Sequence, residues 1–457
     1  MQAGSLRLLA ALLGLLIALA LVPPASADSS VHQSSVIWAA SNRDLRPVRW
    51  SAFKRVHYYQ ISENPVGTVV FFPGCARASR TFWPYQAGGC NECQGFPEEV
   101  AMTKMALARG YAVLTPTAKN KNGCWSSGGY YRRNDQMQAM TLMADFVLEH
   151  GLDRKPIFLV GSSSGATFSL KIPAYLHRFV TADRWVCSNE TAPPPPAWRL
   201  PPGTKPPVTK PQRKSSGRVT CRDPYERWEL PSMAKLRLLQ SRIKGIVSMG
   251  STPEAAEWGI LRPNTRRLEV KPYPPVVWVA MSNDTWGMEM APKCMKILRY
   301  NRVPSTYVLR AQRVGPTFFS DRTPTLTAEQ SRLIVGALQQ IGLLDRGGWL
   351  RANPKYNDRK GTAAYQWPEK LVRLLPWMTL GKSPTFSLDV YQSLVFQELN
   401  VAYGYHETVA DYFLPSLVWL EANGQRRMGN LARSMRQYKL AALTADRYYP
   451  WNQRTKL

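Results

Sequence analysis

Short apolar runs alternate with amphipathic stretches along the first two thirds of the chain. A strand is expected near residues 56–61, after a mixed N-terminal stretch. Residues 67–75 form a β-branched and aromatic run that ends in Pro73-Gly74, the pattern of a buried strand meeting a tight turn. Residues 97–110 open with Pro97 and two acids, space their apolar positions by three and four, and stop at Gly110, which predicts a helix. The same reading gives strands at 111–117, 156–160, 243–250, 274–282 and 305–310. It gives helices at 134–151, at 165–180 with a kink at Pro173, and at 291–303 with Pro292 near its first turn.

Two stretches depart from this rhythm. Nine prolines fall between Pro193 and Pro211 among Lys, Arg and Thr, marking an extended insertion, with a lid expected over about 181–242. From 311 the pattern is mainly helical. Residues 327–344 open on a Thr-x-x-Gln capping box, and 387–404 end at Gly404, so a helical insertion is expected over about 311–400. Short strands alternating with helices predict an α/β fold: a mostly parallel sheet with helices on both faces. No fixed-period repeat is visible, which excludes a solenoid or propeller.

The N-terminus changes the compartment in which this fold is expected. Arg7, the uncharged apolar run Leu8 to Val22, the break at Pro23-Pro24 and the small-x-small Ala25-Ser26-Ala27 read as a secretory signal over about 1–27, leaving 28–457 as the secreted chain. All seven cysteines lie after it, so disulfides are expected, and the odd count leaves at least one thiol over. Cys90 and Cys93 read as two half-cystines of a stapled loop, with Cys75 or Cys124 as partners. Cys187 and Cys221 flank the proline-rich insertion; a bridge there would stabilise by roughly 3–4 kcal/mol on the chain-entropy model. No second CxxC or nearby histidine accompanies Cys90-x-x-Cys93, so no metal site is expected. Asn189 heads a glycosylation sequon. The formal net charge of +28 is spread along the chain without a dense basic block or nucleic-acid motif. It reads as a solvated basic surface, with attraction to an anionic wall or membrane as the sharper alternative and no specific nucleic-acid partner.

In parallel sheets chemistry gathers at the carboxyl ends of the strands. After the run 156–160 comes Gly161-Ser162-Ser163-Ser164-Gly165, a G-x-S-x-G match between a strand and a helix. The bracketing glycines select Ser163 as nucleophile. The backbone N–H of Ser164, at the helix start, is placed to receive an oxyanion. The turn after 67–72 offers a second donor from the N–H of Cys75 or Ala76. After 274–282 comes Asp284, an acid placed after the nucleophile in chain order as a triad requires. Asp321 is a weaker candidate. Asn283-Asp284-Thr285 is also a sequon, expected to be unused because a glycan there would crowd the site.

Strands, elbow and acid in this order resemble the α/β-hydrolase superfamily, more loosely its secreted carboxylesterase- and lipase-like members, over about residues 65–310. The stretch 90–99, CNECQGFPEE, is similar to a poorly characterised group of such hydrolases in plants, algae and water moulds. The resemblance implies an eight-stranded, mostly parallel sheet, an insertion acting as lid, and hydrolysis of an ester or amide through an acyl-enzyme without a cofactor. The departure lies in the base. The family usually places a histidine soon after the last strand, and residues 311–322 contain none. Of the five histidines, His32, His57, His150 and His177 sit where structural or exposed roles are expected. His406 remains: it follows the Gly404 stop and precedes a final amphipathic helix, beyond an insertion of about 90 residues, a length that loop entropy tolerates. The expectation is therefore a secreted serine hydrolase of Ser163, His406 and Asp284 acting on a small or polymeric ester. A non-catalytic binding or cell-wall interaction module on the same fold is the alternative, with an amidase or peptidase a further one.

Overall fold

The computed structural model describes residues 45–434 apart from 87–88, 127–134, 182–185, 188–220, 223–231, 255–257, 263–264, 311, 324–325 and 379–392. The signal segment, Asn189 and most of the proline-rich insertion therefore lie outside the described residues.

Eight strands form one sheet: β1 Val48–Ala52, β2 Arg55–Gln60, β3 Thr68–Phe72, β4 Ala112–Thr115, β5 Ile157–Ser162, β8 Ile243–Met249, β9 Val276–Met281 and β10 Ser305–Arg310. A separate pair, β6 Val186–Cys187 and β7 Cys221–Arg222, closes the ends of the proline-rich insertion, with Cys187 opposite Cys221 in the antiparallel register. The order in the main sheet is β1-β2-β4-β3-β5-β8-β9-β10. β2 runs antiparallel to both its neighbours, and every pairing from β4 to β10 is parallel. This is the α/β-hydrolase fold expected from the sequence.

The period of two along each strand divides the core between the faces. Val70, Phe72, Leu159, Ile246 and Trp278 join one buried cluster. It includes residues of α2 Asp135–Glu149, α3 Ser164–Thr181, α4 Met233–Arg242 and α5 Thr285–Tyr300. Their neighbours Val69, Phe71, Val160, Val247 and Val279 join a second cluster, with α1 Pro97–Ala108 and α10 Phe413–Glu421. Strands covered on both faces must be apolar throughout, which is why they read as continuous runs.

The late helices build a third core. These are α6 Phe318–Arg322, α7 Ala328–Gln340, α8 Trp367–Leu374 and α9 Leu394–Tyr403, and a last helix, α11 Met428–Ser434, follows α10. Phe319, Ile334, Leu338, Trp367, Phe396 and Leu399 pack together, with the Trp367 and Phe396 rings stacked at 5.6 Å. The Thr327 capping box forms as expected: its hydroxyl accepts from Gln330 N, and Gln330 Oε1 accepts from Thr327 N.

One strand was not expected, and two local expectations fail, for identifiable reasons. β1 has no apolar run, because its residues are mostly exposed, and it joins β2 through Phe53 and Lys54 at positive φ, without the usual Gly or Asn. α5 starts six residues before the expected 291, because Asp284 caps it through Oδ1 to Gly287 N at 3.1 Å; Pro292 is thus interior. The helix after His406, α10, is not amphipathic, since Phe413 through Leu420 are all buried.

Candidate active site

Ser163 stands where β5 ends and α3 begins, at a φ of +54°, a conformation unfavourable to a residue with a side chain. The two glycines around it are required by close approach. A Cβ on Gly161 would lie 2.2 Å from the Gly165 carbonyl oxygen, and one on Gly165 would lie 2.1 Å from that of Phe72. The turn is thereby pressed against the end of β3, and Ser163 N donates to Met249 O of β8 at 2.9 Å. Of the three serines, only Ser163 is hydrogen-bonded to a histidine. Ser162 Oγ accepts from Thr408 Oγ1 at 2.8 Å, and Ser164 Oγ accepts from Trp125 N at 3.2 Å.

Ser163 Oγ lies 2.7 Å from His406 Nε2, and His406 Nδ1 lies 3.3 Å from Asp284 Oδ2. Ser163 and Asp284 lie 243 and 122 positions from His406 in sequence. Asp284 is buried, and its two oxygens are divided between tasks: Oδ1 caps α5, and Oδ2 faces the imidazole. With the ring proton on Nδ1 against the carboxylate, Nε2 accepts from the serine hydroxyl. Asp321, the weaker acid candidate, accepts from Thr317 Oγ1 of the residue that precedes α6.

The other described histidines are placed differently. His57 is buried, with Thr117 N donating to its Nδ1 at 3.0 Å and its Nε2 facing Ala52 O at 3.2 Å; burial pushes its pKa down to about 4, which holds it neutral. His150 packs against Tyr59 and Phe146.

On the opposite side of the elbow is the turn after β3. Gly74 is so close that a Cβ there would lie 3.1 Å from Ser163 Cβ. Ala76 N donates to Asn122 O at 2.7 Å, so this expected oxyanion donor is already engaged. The N–H groups of Cys75 and Ser164 donate to no described residue. Cys75 is bridged to Cys124, and Cys90 to Cys93, so the CxxC closes on itself instead of joining Cys75 or Cys124. Cys294 is a free, buried thiol whose pKa burial raises to about 12. Asn283, in the second sequon, donates from Nδ2 to Tyr403 O, a bond that a glycan on that nitrogen would disturb. Among the described residues no group of three or more His, Cys, Asp or Glu could hold a metal ion.

Sequence reasoning missed the charges behind His406. Arg77 and Arg322 are almost fully buried, and each is bonded to an acid on the segment that follows the histidine: Arg77 to Glu407, Arg322 to Asp411. One signal was present: two adjacent acids, Glu98 and Glu99, at the start of a helix both of whose faces turn out to be buried. They read equally well as ordinary helix-start residues.

No protein-family model matches the chain, and no curated protein does. Among solved structures it is similar to an esterase of Pyrobaculum calidifontis, at 10% identity over 68% of this chain and 91% of that one, with a TM-score of 0.32. It is also similar to a putative carboxylesterase of Lactobacillus plantarum, at 12% identity over 64% and 96%, with a TM-score of 0.31. An esterase/lipase from an uncultured bacterium gives 7% identity over 68% and 90%, with a TM-score of 0.30.

Proposed function

We propose that the protein is a serine hydrolase that cleaves carboxylic esters through an acyl-enzyme. The observation that carries this reading is the contact between Ser163 Oγ and His406 Nε2 at 2.7 Å, backed by Asp284. Ser163 attacks the ester carbonyl as His406 takes its proton. The negative charge on the carbonyl oxygen is received by the N–H groups of Ser164 and Cys75. The tetrahedral intermediate expels the alkoxide, to which His406 returns the proton. Water, deprotonated by the same imidazole, then attacks the acyl-serine and releases the acid. Asp284 keeps the ring proton on Nδ1 and stabilises the imidazolium.

The alternative of a non-catalytic binding module drew its motivation from the missing histidine after the last strand. A histidine within hydrogen-bond reach of the serine favours catalysis. Ester over amide is chosen because it makes the lesser demand on the leaving group. The two disulfides support passage through an oxidising compartment, in line with a secretory signal over 1–27. Among the described residues no helix is long and apolar enough to cross a membrane.

The test is hydrolysis of p-nitrophenyl acetate and butyrate. The native protein should turn them over, and Ser163→Ala and His406→Ala should each lose on the order of 10⁴- to 10⁶-fold in kcat. Equal rates in the Ser163→Ala protein would remove the proposal.

A further inference from the structure

The two loops that the proposed reaction depends on, the turn after β3 and the segment that carries His406, are joined by one buried side chain. Arg77 lies two residues from Cys75. Its Nη1 donates to Glu99 Oε1 at 2.7 Å, and its Nη2 donates to Gln397 Oε1 at 2.5 Å and to Glu407 Oε2 at 2.8 Å. The guanidinium also lies 4.7 Å from the centre of the Phe96 ring. Glu407 immediately follows His406, and its other oxygen meets Lys355 Nζ.

Burying this group is costly unless every charge is paired. Side-chain exposure is 9% for Arg77, 2% for Glu99 and 5% for Glu407. Arg77 and Lys355 together balance the two carboxylates. The neighbouring acids raise the pKa of Arg77 despite its burial, so the cation persists at any working pH. A purely structural ion pair needs only one partner. Arg77 instead engages three elements at once: the first turn of α1 through Glu99, α9 through Gln397, and the histidine loop through Glu407. A planar fork offers these acceptors donors in fixed directions from two separate nitrogens; an ammonium offers its donors from a single point.

The histidine needs such an anchor. His406 has a φ of +54°, and its segment follows a helix stop at Gly404. It lies in no strand. The segment is held by contacts with side chains: Glu407 N donates to Met281 Sδ at the end of β9, Thr408 Oγ1 to Ser162 Oγ at the end of β5, and Ala410 N to Glu98 Oε2. The geometry points to Arg77 as a positioning residue. Through Glu407 it sets the imidazole relative to Ser163, and through its own backbone it sets the oxyanion turn, so that base and oxyanion donor keep one spacing. This inference rests on the hydrolase reading above.

The experiment measures kcat and KM on p-nitrophenyl butyrate for the full chain and for Glu407→Gln, Arg77→Met, Arg77→Lys and the Arg77→Met/Glu407→Gln double variant, with urea midpoints alongside. A displaced base costs turnover and leaves binding alone, so each single variant should lose about 10- to 100-fold in kcat with KM changed less than twofold. Arg77→Lys should not rescue. The double variant should be no worse than Arg77→Met, because the two side chains act as one unit. Glu407→Gln keeps the side-chain volume and decides the matter if Arg77→Met does not fold. A folded Glu407→Gln with native kcat overturns the inference, as do losses that multiply in the double variant. Native activity abolished by Ser163→Ala beside unaffected Arg77 and Glu407 variants would sink this inference alone. An inactive native protein would sink the hydrolase reading instead.

Discussion

Ser163 and Asp284 are held by the sheet, whereas His406 is held by a loop behind which charges are buried. The difference lies in the range of the forces. At the sheet, placement is local: glycines four positions apart let the elbow close, and the acid is fixed as the cap of the helix that follows it. At the loop, placement comes from partners far away in sequence. Arg77 reaches Glu407, and Arg322 reaches Glu98, Glu398 and Asp411 together. Local geometry tolerates changes elsewhere in the chain. A charge network fails as a unit when one member is removed.

The comparison can be broken at its junction first. Asp284→Asn retains a side chain able to cap α5 but presents the wrong group to His406. It should lose about 10⁴-fold in kcat while its thermal midpoint stays near native. A matching loss of stability would mean that the two oxygens of Asp284 are not divided as the geometry suggests. On the loop side, Arg322→Met strands three acids, and should cost about 3–5 kcal/mol in urea unfolding. A near-neutral result would show that the acids find other partners.

The two buried or half-buried histidines sharpen the contrast. His57 belongs to the sheet and is held neutral with its pKa lowered to about 4. The unfolded chain binds a proton near pH 6.5 and the native state does not, so this contribution is complete above that pH and is lost as pH falls toward 4. Urea unfolding between pH 7 and 4 should show a loss of about 3 kcal/mol from this residue, and a His57→Asn variant should flatten that part of the curve. An unchanged slope would contradict the assignment.

On the sheet side, Gly165→Ala pushes a methyl group into the Phe72 carbonyl. It should lower stability by about 1–3 kcal/mol and activity with it, measured on the same urea series. Smallest of all is Cys294. A buried thiol with its pKa raised to about 12 should resist iodoacetamide in the native protein and react only after unfolding, as read by peptide mass spectrometry.

These two modes of placement also explain what the sequence revealed. The parallel strands were legible because burial on both faces forces continuous apolar runs such as 68–72 and 276–281. Gly161 and Gly165 were legible because a sharp turn leaves no alternative residue. β1 was not, since its exposed side chains carry no period. The start of α5 was missed because one aspartate serves as both cap and candidate acid, and Pro292 suggested a later first turn. His406 was reached by elimination among five histidines, helped by the Gly404 stop before it and the helix expected after it. Arg77 and Arg322 left no trace among 59 lysines and arginines, because only the fold distinguishes a buried guanidinium from a solvated one.

The most direct test of the account is to locate a covalent adduct. The native protein is treated with a fluorophosphonate, digested, and sequenced by tandem mass spectrometry across residues 156–170. The account predicts one phosphonyl group on Ser163, absent from His406→Ala under the same exposure. An adduct on Ser162 or Ser164, or undiminished labelling of Ser163→Ala, would contradict it.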